Sequence, residues 1–306
     1  MAYVSNPSNF HSIEKYIQTY NSETQAKVIK SPRCFVMDTC SIEFYKKVER
    51  PSIFAKYVNK NNGAVIIFRT VLMELAGDEG KLDQLQIAFF QTLSEAGVDI
   101  FVLYEEDIFT LLQVYTDNKN INKFLKYAVL CVKRPTGILE ALFDNNNELK
   151  RSILTAESNS SGSIYSDLFN ALRDEKKHED DLGEIACLVC IHVLSNMEEL
   201  TPYKYVFLTE DRTAVILASK VRHNALRHST SSVKMIGIAR FPTVIERMYH
   251  KGILKNAEDI VSFLGTYEGH IIISVKGEYD TDVTEKSYTV EEFAKFVCDE
   301  EGFVVM

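Results

Sequence analysis

Five apolar runs of strand length constrain this chain more than any other feature: residues 34–37, 64–68, 99–103, 205–208 and 233–238. They are near-continuous rather than alternating. A strand with one wet face alternates polar and apolar side chains. Runs such as Ala64-Val65-Ile66-Ile67-Phe68 and Tyr205-Val206-Phe207-Leu208 therefore predict strands covered on both faces, as in a parallel sheet between helices. Amphipathic helical stretches separate the runs. This alternation predicts an α/β fold: a three-layer α/β/α sandwich around a central, mostly parallel five-stranded sheet. At 306 residues and 46% apolar content the chain can bury a sizeable core.

Residues 1–30 read as a polar N-terminal extension with a short helix over 13–20, ended by Ser31-Pro32. The main domain is expected over 31–260. Within it, 108–178 is too long for a structureless connection, so a helical insertion is expected there, with a flexible Ser-rich tip at 157–163. Residues 261–306 predict a small α+β unit. Its signals are a strand over 270–275, a capping box in Thr289-x-x-Glu292 opening a helix over 291–298, and a final apolar run at 303–305.

No stretch approaches the roughly 20 apolar residues of a membrane helix, and the first 30 residues lack a signal-peptide core, so a soluble, cytoplasmic protein with no membrane partner is expected. The six cysteines are scattered and several sit in apolar segments, which suits buried thiols in a reducing compartment. Cys187-x-x-Cys190, with His178 and His192 nearby, lacks a second ligand pair at zinc spacing and reads as core. Phosphate-cradling glycine loops and the Gly-x-Ser-x-Gly elbow are absent from the sequence. A net charge of −9 argues against a protein that coats nucleic acid through a broadly basic surface. A carboxylate site loaded with divalent cations reverses that sign locally.

Four acidic positions supply such a site: Asp38, Glu74, Glu184 with Asp181 beside it, and Asp211. Asp38 ends the first apolar run, and Asp211 follows the fourth after Thr209-Glu210. Glu74 is expected in the first turn of a helix opened by Val71, after the second run, and Glu184 opens another helix. In an open parallel sheet the functional crevice lies outside the carboxyl ends of the strands, so neighbouring strands would bring these acids to one edge. Hard cations such as Mg²⁺ or Mn²⁺ prefer carboxylate oxygens, and a pair of ions about 4 Å apart activates water and stabilises a leaving oxygen. Each acid also has a plain structural reading. Carboxylates cap helix N-termini and form turns, and Asp181-x-x-Glu184 has the spacing of a capping box.

The segments Val36-Met37-Asp38-Thr39, Phe68-Arg69-Thr70-Val71-Leu72-Met73-Glu74-Leu75, Gly97–Leu103, Leu182-Gly183-Glu184-Ile185-Ala186 and Phe207-Leu208-Thr209-Glu210-Asp211-Arg212 resemble the PIN (PilT N-terminus) domain ribonucleases over about 33–260. The resemblance implies that Asp38, Glu74, Glu184 and Asp211 are catalytic and bind Mg²⁺ or Mn²⁺, with Asp181 a further metal candidate. It implies supporting roles for Thr39, Ser41 and Thr209, which would orient water or a carboxylate. The implied reaction is hydrolysis of single-stranded or structured RNA, leaving a 5′-phosphate and a 3′-hydroxyl. An inhibitory protein partner and a homo-oligomer are compatible with it. The insertion and the C-terminal unit depart from the small toxins of that family. Arg69 and Arg212, beside the expected edge, are candidates for gripping RNA phosphates, as are Lys220, Arg222 and Arg227 and the pairs Lys133-Arg134, Lys150-Arg151 and Lys176-Lys177. Two rivals stand beside this reading. A haloacid-dehalogenase-like phosphatase resembles Asp-x-Asp, whereas here Cys40 fills the second position. A PIN-like module that binds nucleic acid or protein with little catalysis would need no intact acid set.

Overall fold

The computed structural model describes residues 6–175, 182–196, 203–228, 236–265, 267–276, 283–299 and 303–305. Asp181, Lys176-Lys177, His178 and the first three residues of the expected 233–238 strand lie outside them. The chain is an α/β protein, consistent with a three-layer α/β/α sandwich. Six strands form its sheet: β1 (Gln18–Thr19), β2 (Arg33–Met37), β3 (Gly63–Phe68), β4 (Ile100–Leu103), β5 (Tyr205–Leu208) and β6 (Ile236–Ala239). Every pairing in it is parallel, in the order β1-β4-β3-β2-β5-β6. Strands β4, β5 and β6 are buried along their whole length, as near-continuous apolar runs require.

The strand order fixes where a site can form. From β2 the chain steps outward through β3 to β4, and β5 then returns to the opposite side of β2. Helices α2 (Thr39–Tyr45) and α3 (Pro51–Lys60) follow β2, while α4 (Arg69–Ala76) and α5 (Gln84–Glu95) follow β3. The reversal opens a crevice between the carboxyl ends of β2 and β5, the usual ligand position in such sheets.

The N-terminal segment departs from expectation. In place of a helix over 13–20 it makes two 3-10 turns, Phe10–Ser12 and Glu14–Tyr16, and then β1, which adds a sixth strand beside β4. Ile13 and Ile17 are spaced for one helix face and both are buried, but Gln18 and Thr19 pair with Phe101 and Val102, and the Gln18 amide donates to Asp99 at 2.5 Å. The helix starts later, as α1 (Ser22–Lys30), where Asn21 accepts from the amides of Glu23 and Thr24.

The insertion is helical: α6 (Asp107–Leu112), α7 (Asn118–Thr136), α8 (Ile138–Asn145), α9 (Asn147–Leu154) and α10 (Ser163–Glu175). Its Ser-rich link is anchored, because the buried Asn122 amide donates to the carbonyls of Asn159 and Ser161. Next come α11 (Leu182–Leu194), β5, α12 (Arg212–His228), β6, α13 (Phe241–His250) and α14 (Ala257–Leu264). All of α11 is buried, against α4, α6, α7, α10, α12 and β5, as befits a helix that is apolar apart from Glu184 and His192. Cys187 and Cys190 are buried free thiols on it, and burial lowers the His192 pKa to about 4.

The C-terminal unit is an antiparallel sheet of β7 (Ile271–Lys276), β8 (Val283–Tyr288) and β9 (Phe303–Val305), ordered β8-β7-β9, with α15 (Val290–Asp299). The Thr289–Glu292 capping box forms: the Glu292 amide donates to the Thr289 hydroxyl at 3.2 Å and the Thr289 amide to the Glu292 carboxylate at 2.8 Å. The unit docks on the sandwich, with the Val304 amide donating to Glu246 at 3.0 Å and Arg240 to the Ile272 carbonyl at 3.2 Å. Among the described residues no helix is long and apolar enough to cross a membrane.

Candidate metal centre

Asp38 and Asp211 both lie at the crevice. Met37 pairs with Leu208, and the Asp38 amide donates to the Leu208 carbonyl at 3.2 Å, so the ladder between β2 and β5 ends at the first acid. Both aspartates cap helices. Asp38 Oδ1 accepts from the Ser41 amide at 2.7 Å at the start of α2, and Asp211 Oδ1 accepts from the Thr213 amide at 2.6 Å in the first turn of α12. The structural reading of these two residues therefore holds, and it uses one oxygen of each.

The second oxygen of Asp38 is the informative atom. Asp38 is 1% exposed, and its Oδ2 is buried without a hydrogen bond of proper geometry. Burial pushes the carboxyl up to about 6. The Thr209 hydroxyl and the Ser41 amide pull the other way, and the Glu74 charge adds to the rise. Thr209, itself buried, accepts from the Asp211 amide at 3.1 Å and so stands between the two aspartates. Ser41 contributes mainly through its backbone; its hydroxyl donates to the Asp38 carbonyl at 2.9 Å.

Glu74 comes from the neighbouring side. Helix α4 begins at Arg69, not Val71, so Glu74 stands beyond the first turn and serves no capping purpose there. The Thr39 hydroxyl donates to its Oε2 at 2.6 Å. Its carboxylate lies against Gly183 in α11, where an added Cβ would stand 2.5 Å from both oxygens. Only glycine lets the group approach α11 so closely, one residue before Glu184. Glu184 is buried in the first turn of that helix.

Cys40, half-buried in α2, registers the gathering of all four acids. Burial first, then Asp38, Glu184, Asp211 and Glu74, push its thiol up to about 12. The charges of all four acids thus reach this one thiol. Among the described residues no group of three or more His, Cys, Asp or Glu is set at metal-binding spacing. The donor type nonetheless suits a hard divalent cation: all four candidates are carboxylates, and Asp38 Oδ2 is buried without a hydrogen bond of proper geometry. Asp38, Glu74, Glu184 and Asp211 would hold it.

Four of the basic candidates are engaged elsewhere, and the side chains of Arg134 and Arg227 lie outside the described residues. Arg69 is buried, pairs with Glu106 at 2.6 Å and stacks over Tyr104 at 4.0 Å from the ring centre. Arg212 pairs with Glu285 of β8. Lys133 and Lys150 face Glu140 and Asp144 within the insertion, at 3.4 and 3.1 Å.

Three contributors escaped sequence reasoning. Cys40 had no motif to mark it. Glu210 lies between two assigned residues, yet burial drives its carboxyl well above the usual range against the opposing charge of Arg240, and it accepts from the Phe241 amide at 2.7 Å. Arg173 of α10 is buried, donating to Glu105 at 3.0 Å and to Glu106 at 3.1 Å. Glu105 in turn accepts from the Thr70 amide at 2.8 Å, so this network ties down the start of α4, the helix that carries Glu74.

No protein-family model, curated protein or solved structure matches the chain.

Proposed function

We propose that this chain is a Mg²⁺- or Mn²⁺-dependent endoribonuclease of PIN type, hydrolysing RNA phosphodiester bonds at the crevice between β2 and β5. The observation that carries the reading is Asp38: a buried carboxylate with an orphaned oxygen at the topological switch point, with Glu74, Glu184 and Asp211 gathered around the same thiol. A divalent ion bound there would activate water and neutralise charge on a phosphodiester. The chain's own residues prepare for that. Thr39 fixes the Glu74 carboxylate, Ser41 and Thr209 fix Asp38, and the Thr213 amide holds one Asp211 oxygen. Negative charge held at low dielectric favours a cation over water.

The deciding assay is cleavage of a single-stranded RNA in Mn²⁺ and in EDTA, by wild type and by Asp38→Asn. Cleavage should require Mn²⁺ and should fall at least about a hundred-fold in the variant, with its fold intact. Equal cleavage in EDTA would overturn the metal mechanism. RNA binding with no Mn²⁺-dependent cleavage would instead select the binding-module reading.

A further inference from the structure

One residue beyond Asp211, Arg212 forms part of a cavity of about 130 Å³ between the sandwich and the C-terminal sheet. Its walls are mostly apolar: Val215 and Ile216 from α12, Ile272 and Ile273 from β7, and Val304 from β9. The Thr243 hydroxyl lines it from α13. That side chain is 4% exposed, and its oxygen has no hydrogen-bond partner. A buried hydroxyl in that state costs the fold stability, and one that lines a cavity offers a ligand there a hydrogen bond. Ile216, at 54% exposed, carries the apolar wall out to solvent.

An occupant must offer apolar surface to the walls and a polar edge to Thr243. Phosphate does not meet this. The hydroxyls that line it, Thr243 and Ser274, carry no charge, and both guanidinium groups in the lining already face acids, Arg212 with Glu285 and Arg240 with Glu210 at 3.9 Å. The volume is well below the roughly 300–1,000 Å³ of a drug-sized site and is of the order of one planar ring system. A nucleobase has two apolar faces and a hydrogen-bonding edge, and it stacks readily on guanidinium planes. We propose that this cavity takes one unstacked base of a single-stranded RNA whose backbone passes the carboxylates, an assignment that rests on the ribonuclease reading. It also gives the C-terminal unit a task, since β7 and β9 supply much of the wall.

The probes are the four common ribonucleoside 5′-monophosphates and ribose 5-phosphate, added in EDTA and followed by isoleucine methyl NMR. At least one nucleotide should shift the Ile216, Ile272 and Ile273 methyls saturably, and ribose 5-phosphate should not. Thr243→Val should weaken that binding about five-fold while leaving thermal stability equal or higher, since it removes an unpartnered buried hydroxyl. Ile216→Asp, at an exposed position, should abolish it. The proposal is overturned if no nucleotide moves these methyls, if ribose 5-phosphate binds as well as the nucleotides, or if binding survives both substitutions unchanged. Because metal is absent, the result is independent of the cleavage assay. Nucleotide binding without Asp38-dependent cleavage keeps the pocket and removes the ribonuclease reading; cleavage without nucleotide binding removes the pocket alone.

Discussion

Two groups of acids at the carboxyl edge of one sheet are handled in opposite ways. Glu105 and Glu106, just beyond β4, are met by Arg69 and Arg173. Burial alone would raise Glu106, but backbone and Arg173 hydrogen bonds, with the charges of Arg173 and Arg69, hold its carboxyl below the ordinary range. Asp38 suffers the same desolvation and has an amide, a hydroxyl and another acid for neighbours, so its carboxyl rises to about 6. Charges that hold the fold together come with countercharges. A buried carboxylate left without one is a candidate functional position.

Breaking the compensated cluster should cost the most. Arg173 is 3% exposed and Glu105 fully buried, so Arg173→Met strands a charge and should destabilise the protein by about 3–5 kcal/mol in a denaturant melt. A loss well under that would mean Arg173 and Glu105 are not a structural pair.

The same surgery on the other group should do the reverse. In EDTA at neutral pH, ionised Asp38 costs about 3 kcal/mol, judged by its rise from 3.8 to about 6. Asn keeps the cap on Ser41, so Asp38→Asn should be more stable than wild type there, and it should lose the Mn²⁺-induced rise in melting temperature that wild type displays. The pH profile sharpens this. A raised Asp38 pKa gives stability that is present below 3.8 and lost as pH rises through about 6. The lowered His192 pKa gives stability that is present above 6.5 and lost as pH falls through about 4. The two trends oppose each other across that window in wild type, and without the Asp38 contribution the Asn variant should lose less stability than wild type as pH rises from about 4 to 6. A variant less stable than wild type at pH 8 without metal would contradict the assignment.

Gly183→Ala should have a smaller effect on stability. Its Cβ displaces the Glu74 carboxylate at about 1–3 kcal/mol, partly offset by about 1 kcal/mol of helix propensity, while Mn²⁺ affinity falls out of proportion. Thr39→Val removes the hydroxyl held 2.6 Å from Glu74 and should cost about 1 kcal/mol, the smallest effect of the series. Calorimetric Mn²⁺ titration of both variants checks whether Glu74 orientation matters to the site.

Much of this architecture was legible in the sequence because its signals are local. Four of the five strand positions agree with the apolar runs to within a residue, and the fifth, β6, begins where description resumes at residue 236. The capping box at Thr289 and the largely apolar α11 are equally readable, since each is set by a few consecutive side chains. Strand β1 was not readable: Gln18-Thr19 has no apolar pattern and is a strand only because β4 offers it an edge. The partner of Arg69 was hidden for the same reason. Its placement before Glu74 suggested phosphate, whereas Glu106 and Tyr104 claim it through contacts made across the fold.

The sequence by itself determined where the apolar strands lie and which acids stand at strand ends, because burial periodicity and capping act over one or two turns of chain. Only the tertiary structure decided that β5 returns beside β2, that Glu74 rests on Gly183, and that Asp38 meets no countercharge among the described residues while Glu105 has Arg173. Those facts follow from the order in which crossovers pack and from what each buried charge then finds within a few ångströms, and neither is encoded in any short stretch of residues.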